Sequence, residues 1–405
     1  MAPDTFIQFG CWNNLNGVFC LKSVMTKLSK HLSENTNTRF IAISGDNYYQ
    51  YKVKDKTKKE EGGVNIINTE LLKKGFDLLP NDIPINMIMG NHDLVTTTAS
   101  KNYYVNTTDT VDDRCTILRN QMSLVSSKPN ISYKLFQFQM IGNTLIIMFD
   151  TSMYELINTV NDSYLTCYRA YFEIHGFPED IDPEHFSVEG LLSHQKKNIL
   201  AIIREKLSLF QHMVLIGHHP IIQIKNKKDQ NKCVSDINDN IQSLLRSIFE
   251  ATHLDKYYYL CSDLHLYQKG NIQITFDDTH ETMNIQQYIV GTGGTELDPL
   301  PISPTPCSIS NTHYQIIEQN HTCGFLECTI EEEGEPSFNF IVAESEATAE
   351  SESESTTDIS KGGKRYTRKK TRKPRNPRKK TRKPRNPRKK TRKPRNPRKK
   401  TRTRK

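Results

Sequence analysis

The chain has 405 residues, 36% hydrophobic and 25% charged, with a formal net charge of +9, enough for one large α/β domain and an appendage. That charge averages two opposite parts: Lys361–Lys405 holds 27 of the 55 Lys and Arg and no acid, so the remainder, with all 46 Asp and Glu, stands at −18. No stretch approaches a run of about 18 apolar residues, which excludes a membrane-spanning helix. The opening MAPDTFIQFG lacks the basic and apolar regions of a secretory signal, so an intracellular, soluble protein is expected. Nine scattered cysteines with no CxxC pair argue against a disulfide framework and against a structural zinc site.

In chain order, residues 5–12 read as a first strand, and Leu21–Leu32 has apolar residues at helical spacing. Residues 40–45 are a second strand, Lys52–Gly63 a charged mobile loop, 66–79 a helix and 85–89 a third strand. Thr96–Lys128 is polar and reads as loops and a helix over the site. Residues 133–149 hold two β-like runs around Ile141-Gly142, a hairpin, and Leu156–Ser187 reads as an insertion near the rim. Helices at Gln195–Phe210 and Ile237–Phe249 alternate with strands at 213–217 and 257–261. Residues 271–291 and 313–342 read as antiparallel strands closing a second sheet.

After Val342 the composition changes. Residues 343–360 are a Ser/Glu-rich acidic segment with no large apolar residue from Ala343 to Asp358, expected to be a disordered linker between a domain at 1–342 and a tail at 361–405. The tail repeats KKTRKPRNPR from Lys369, Lys379 and Lys389. Two prolines per repeat forbid a continuous helix. An acid-free run this basic is expected to be disordered and to bind nucleic acid or another polyanion through phosphates, without sequence preference because no aromatic follows Tyr366. The composition is similar to tails on proteins of large DNA viruses, which would place the chain in a virion or host cell.

One pattern recurs along the domain. Phe40–Tyr49 (FIAISGDNYY), Pro84–Asp93 (PINMIMGNHD), Met213–Pro220 (MVLIGHHP) and Tyr257–His265 (YYYLCSDLH) are apolar runs that stop in Asp, Asn or His. Phe6–Trp12 (FIQFGCW) is a weaker fifth copy. Buried parallel strands read this way, and ligands collect past their carboxyl ends. Oxygen and imidazole groups converging there suit iron, zinc or manganese.

GDNYY, GNHD, GHHP and SDLHLYQ resemble the calcineurin-like metallophosphoesterases, and Tyr49 narrows the likeness to the purple (tartrate-resistant) acid phosphatases. FDTSMY (Phe149–Tyr154), LSHQ, YIVGTGGTELDP and CGFLECTI follow in the family's order, so the likeness covers about residues 5–342. It implies a four-layer αββα sandwich of two mixed β-sheets flanked by helices. It also implies hydrolysis of phosphate monoesters through a dinuclear metal centre and its metal-bound hydroxide, with iron paired with zinc, manganese or a second iron. One metal would fall to Cys11, Asp46, Tyr49 and His265, and the other to Asp46, Asn91, His218 and Asp263, with Asp46 as the bridge. His92 would stand beside the leaving group with Asp93 orienting it, and His219 is a rim or substrate contact. Cys11 and Asp263 depart from the family, which has a carboxylate and an imidazole there, and the residues Lys225–Lys228 lie where it has a further His. The departures keep open a pseudoenzyme acting as a binding or scaffold module, and the basic tail keeps open a phosphodiesterase or nuclease.

Overall fold

The alternation of side chains along the central strands builds the architecture. In the computed structural model, which describes residues 3–14, 19–49, 51–53, 64–67, 69–94, 103–105, 115–155, 162–226, 230–237, 239–276 and 278–343, the elements run as follows. β1 is Asp4–Phe9, α1 Phe19–Glu34, β2 Thr38–Ile43, β3 Tyr51–Val53, β4 Val64–Ile67, α2 Thr69–Phe76, β5 Ile85–Met87, β6 Tyr103–Val105, α3 Thr116–Ser126 and β7 Ile131–Tyr133. Then come β8 Phe136–Ile141, β9 Thr144–Phe149, α4 Ser152–Glu155, α5 Asp162–His175, α6 Val188–Lys206, β10 His212–Ile216, β11 Gln223–Asn226, β12 Asn231–Val234 and α7 Asp239–Thr252. The last are β13 Tyr257–Cys261, β14 Tyr267–Thr275, β15 Thr282–Val290, β16 Cys307–Ile309, β17 Thr312–Asn320, β18 Gly324–Ile330 and β19 Ser337–Val342.

Two large mixed sheets result, one in the order β19-β18-β1-β2-β5-β7 and one in the order β16-β17-β14-β15-β13-β10-β9-β8. In β1 and β2, Phe6, Phe40 and Ala42 join an apolar cluster with Ile146, Val214, Leu260 and Val290 of the other sheet. Their neighbours Ile7, Phe9, Ile41 and Ile43 turn to the opposite face, into a cluster with Leu21, Val24 and Leu28 of α1. Period-two alternation with both faces buried means sheet against sheet inside and helices outside, the four layers expected. The strands β9, β10 and β13, buried throughout except for His212, pair parallel, as near-continuous apolar runs do when both faces are covered.

The structure corrects several sequence expectations. Residues 313–342 do not all close the second sheet. β17 does, but β18 pairs antiparallel with β1, and β19 with β18, so the chain returns to the first sheet. Leu326, Cys328 and Ile330 fill the layer between sheets while Phe325 faces the helix side; β18 thus has two buried faces, which only the open edge of β1 provides. Residues 51–53 and 64–67 are strands of a three-stranded sheet, β3-β4-β6, and the helix expected over 66–79 is Thr69–Phe76. The rest of the charged segment, 54–63, lies outside the described residues, as do 95–102 and 106–114. The rim segment after residue 156 contains α5, whose Tyr168 and Phe172 are core residues. The 133–149 hairpin forms as β8 and β9. The chain divides into Met1–Ser355 and Thr356–Lys405; the linker from residue 344 and the whole basic tail lie outside the described residues. No described helix is long and apolar enough to cross a membrane.

The expectation about cysteine is overturned. Cys20–Cys323, Cys115–Cys167 and Cys233–Cys307 are disulfides, and Cys11, Cys261 and Cys328 are free and buried. The partners lie 303, 52 and 74 residues apart, separations that local spacing cannot reveal. Cys115–Cys167 ties α3 to α5, with Cα atoms 5.4 Å apart, and closing a loop of that length stabilises by about 4 kcal/mol in the chain-entropy picture. Non-reducing peptide mapping is expected to recover the three pairs, and Cys115→Ser with Cys167→Ser to lower the denaturation midpoint by a corresponding amount. A peptide map with all nine thiols alkylated in the folded protein would contradict this.

Candidate metal centre

Five strand ends converge where the two sheets meet. β1 ends in Gly10-Cys11, β2 in Gly45-Asp46, β5 leads to Gly90-Asn91-His92-Asp93, β10 ends in Gly217-His218-His219 and β13 in Ser262-Asp263-Leu264-His265. Cys11, Asp46 and Asp263 each sit at positive φ, 52°, 52° and 53°, a region costly to residues with a Cβ. Gly45, at φ +91°, makes the crossing possible: a Cβ there would lie 2.7 Å from Gly90 N and from His218 Nδ1.

Asp46 stands at the centre, with almost no exposure. Its Oδ1 accepts the His92 backbone N–H at 3.0 Å and faces His218 Nε2 at 3.3 Å. Its Oδ2 accepts the Tyr49 hydroxyl at 2.7 Å and the Cys11 thiol at 3.7 Å. Burial alone would raise its pKa, but His218 and His92 hold the carboxyl well below the usual range. Tyr49 Oη also lies 3.0 Å from His265 Nε2. Burial first, then the Asp46 charge, push the Tyr49 phenol and the Cys11 thiol up.

The donor atoms form two groups. Cys11, Asp46 and His265 offer atoms within 4.8 Å of one another, and so do His218, His219 and Asp263. The hydrogen bonds of His218 test whether a cation fits. Its Nδ1 lies 2.8 Å from the Ser44 carbonyl, which can only accept, so Nδ1 carries the proton and Nε2 presents a lone pair. That lone pair faces Asp46 Oδ1 at 3.3 Å and Asp263 Oδ1 at 4.0 Å. Burial lowers the pKa of His218 against the opposing pull of Asp46 and Asp263, which favours the neutral ring. With the ring neutral, three acceptors face one another in a buried space, an arrangement that a cation would satisfy. Asn91 Oδ1 is also buried and without a hydrogen-bond partner among the described residues. The residues therefore fit metal ions.

His219 differs from the sequence expectation of a rim position, because it is fully buried. Thr151 Oγ1 accepts the backbone N–H of His218 and of His219, at 3.0 and 2.9 Å. With both lone pairs used, its own proton goes to His219 Nδ1, 3.1 Å away, and the ring proton sits on Nε2. His219 Nε2 points toward Glu155 Oε2 at 3.4 Å, and burial's downward pull on its pKa is outweighed by Glu155 and Asp263. His219 is thus placed as a donor. His92 packs its ring 4.7 Å from that of Tyr49.

Asp93 does not take the role expected of it. Its carboxylate accepts from Asn47 N, Asn47 Nδ2, Gly90 N and Gln121 Nε2, all within 2.9 Å; none of these donors belongs to the His92 side chain. It holds the Asp46 and Asn91 loops together, and burial, then the Asp46 charge, push its carboxyl up to about 7. Two further residues border the centre, and of these only Glu155 escaped the sequence reading. Glu155 follows FDTSMY directly, and Lys225 reaches Asp263 at 3.5 Å. Glu155 has no spacing signal; Lys225 is marked in the sequence as standing where the resembled family has a His, but its pairing with Asp263 is not.

No family model matches the chain, and no curated protein matches it. Several solved structures are similar in fold. The Plasmodium protein GAP50, described as the anchor in the inner membrane complex, is 13% identical over 85% of each chain, with a TM-score of 0.44. The purple acid phosphatase PPD1 from yellow lupin (Lupinus luteus) seeds is 11% identical over 85% of this chain and 52% of that one, with a TM-score of 0.47; the present chain spans about half its length. PhoD is 12% identical over 84% of this chain and 69% of its own, with a TM-score of 0.45.

Asp150, at the start of the turn that carries Thr151, is fully buried, accepts from Tyr168 Oη at 2.7 Å and Ser152 N at 2.8 Å, and is pushed up to about 6 by burial. A carboxyl whose folded pKa is raised binds its proton more tightly in the folded state. Its contribution is therefore fully present below about pH 4, the unfolded value, and is lost as pH rises toward 6. Denaturant titrations are expected to show wild type losing about 2–3 kcal/mol relative to Asp150→Asn across that window. Parallel profiles for the two proteins would show that the group is not buried as described.

Proposed function

We propose that this chain is a metal-dependent hydrolase of phosphate monoesters, with iron, zinc or manganese held by two ligand sets that share Asp46. The observation that carries the reading is His218 Nε2, its Nδ1 proton engaged by the Ser44 carbonyl, facing Asp46 Oδ1 and Asp263 Oδ1 across a buried space. Cys11, Asp46, Tyr49 and His265 would hold one ion, and Asp46, Asn91, His218 and Asp263 the other. Two ions there would neutralise phosphate oxygens and acidify a water. The protein's own groups do the rest. Asp46 spans the two sets, one oxygen to each. His92, its ring packed against Tyr49, and His219, with its proton on Nε2, would serve as the imidazoles beside the phosphate. Asp93 fixes the two loops that carry Asp46, Asn91 and His92.

A scaffold without hydrolytic activity is the second reading. It is favoured by Cys11, whose thiol burial keeps protonated and which donates to Asp46 Oδ2; a neutral thiol is a weak ligand. Metal-loaded protein is expected to hydrolyse an activated aryl phosphate, and Asp46→Asn to reduce the rate by about a hundredfold or more, a barrier increase of about 2.7 kcal/mol. Metal analysis of both proteins should find the loss of bound ion alongside. Equal rates for wild type and variant, or no metal in either, would leave the scaffold reading.

The tail of 27 Lys and Arg would add polyanion binding to this domain. Neutralising DNA phosphates releases counterions, so log K should fall by about 0.9 per log salt for each phosphate contacted. Full-length protein is expected to bind duplex DNA with a steep salt dependence that vanishes on removing residues 361–405. Equal affinities at low salt for the two would refute the role of the tail.

A further inference from the structure

Asp263 brings a second carboxylate to a buried centre that already holds Asp46, and one cation meets it. Among the described residues, Lys225 is the only Lys or Arg whose nitrogen lies within ion-pair distance of Asp46, Asp93, Glu155 or Asp263. Its Nζ is 3.5 Å from Asp263 Oδ2 and 3.2 Å from Asp236 Oδ2. Gln223 Nε2 bonds the same two oxygens, at 3.4 and 2.7 Å. These contacts all fall on Oδ2, which leaves Oδ1 turned to His218 Nε2. Asp236 is 38% exposed on its side chain and Asp263 only 13%, so solvent screens the first and the Lys225 charge acts chiefly on the second.

Lys225 is built in rather than draped over the surface. It lies on β11, in register with Lys232 of β12. That hairpin is tied down by Cys233–Cys307, by Asn226 Nδ2 donating to Leu300 O at 2.9 Å, and by Asn231 Nδ2 donating to Ile302 O at 2.7 Å. Gln223 is fully buried.

We propose that Lys225 is the counter-charge of Asp263, so that the pair offers the centre one oxygen ligand and no net charge, as a neutral imidazole would offer one nitrogen. The proposal rests on the metal-centre reading above. It makes Lys225 a positioning and charge-balancing residue. Without it, the centre gains one uncompensated negative charge beside the place where an anionic phosphate must approach.

The test is a charge cycle on the full chain: wild type, Lys225→Met, Asp263→His, the double variant, and Lys225→Arg. Cobalt(II) alone and then inorganic phosphate are titrated by calorimetry. Phosphate should bind cobalt-loaded Lys225→Met on the order of tenfold more weakly than wild type, the size expected of one unit charge several ångströms away. The double variant, with the wild-type charge restored, should return to within about threefold, and Lys225→Arg should stay close to wild type. Phosphate affinity unchanged in Lys225→Met, or lost equally in Lys225→Arg, overturns the proposal. Metal-free thermal melts give a separate reading: Lys225→Met should lower the melting temperature when Asp263 is present and not when it is His. If no protein binds cobalt, the metal-centre reading fails, and equal shifts in the two backgrounds then reject the ion pair as well.

Discussion

The carboxylate of Asp46 is the constraint on which the rest depends. It is reached from the first sheet, while His218 and Asp263 come from the second. For one oxygen to face His218 at 3.3 Å, the carboxyl ends of β2, β10 and β13 must be brought together and held. The apolar layer between the sheets supplies the pressure, and a polar seam at its upper edge supplies the register. Gln8 Nε2 donates to Ser44 Oγ, Ser262 Oγ donates to Ser44 O, and His218 Nδ1 donates to the same carbonyl. A misaligned seam would leave buried donors without partners, at about 1–3 kcal/mol each, so the seam selects one arrangement of the sheets.

Three of the seven described non-glycine residues at positive φ stand at the same place. Residues with a Cβ occupy positive φ at Cys11, Asp46 and Asp263, although glycine would be cheaper at each. Glycine has no side chain to offer. The strain is thus borne where a ligand atom must leave a strand end at an angle that ordinary backbone does not give. Glycines stand instead where the backbone of one loop passes close to another, as Gly45 does against Gly90 and His218.

Much of this was legible in the sequence because its causes are local. Apolar runs ending in Gly-Asp, Gly-Asn-His and Gly-His-His marked the strand ends, and the structure brings Cys11, Asp46, Tyr49, His218, Asp263 and His265 together from them. What escaped depends on contacts distant in the chain. The three disulfides join residues at least 52 apart. β18 and β19 carry the same alternation as strands of the other sheet, and only the free edge of β1 decides where they go. Asp93, next to His92 in sequence, turns away from it because Asn47, Gly90 and Gln121 supply four donors on the other side. Lys225 is marked in the sequence, but its pairing with Asp263 depends on a hairpin tied down by a distant disulfide.

The adjacent histidines show how far the backbone alone can set chemistry. His218 and His219 have the same side chain, the same burial and rings 4.7 Å apart, yet they present opposite faces to the centre. A carbonyl, Ser44 O, takes the Nδ1 proton of His218 and leaves a lone pair inside. A hydroxyl already filled by two backbone N–H groups, Thr151 Oγ1, gives its proton to Nδ1 of His219 and leaves an N–H inside. Neither choice is made by the imidazole itself. A valine at residue 151 would remove the acceptor for two buried amides and the donor for one ring, so the placement of the His219 proton depends on a hydroxyl from a separate loop.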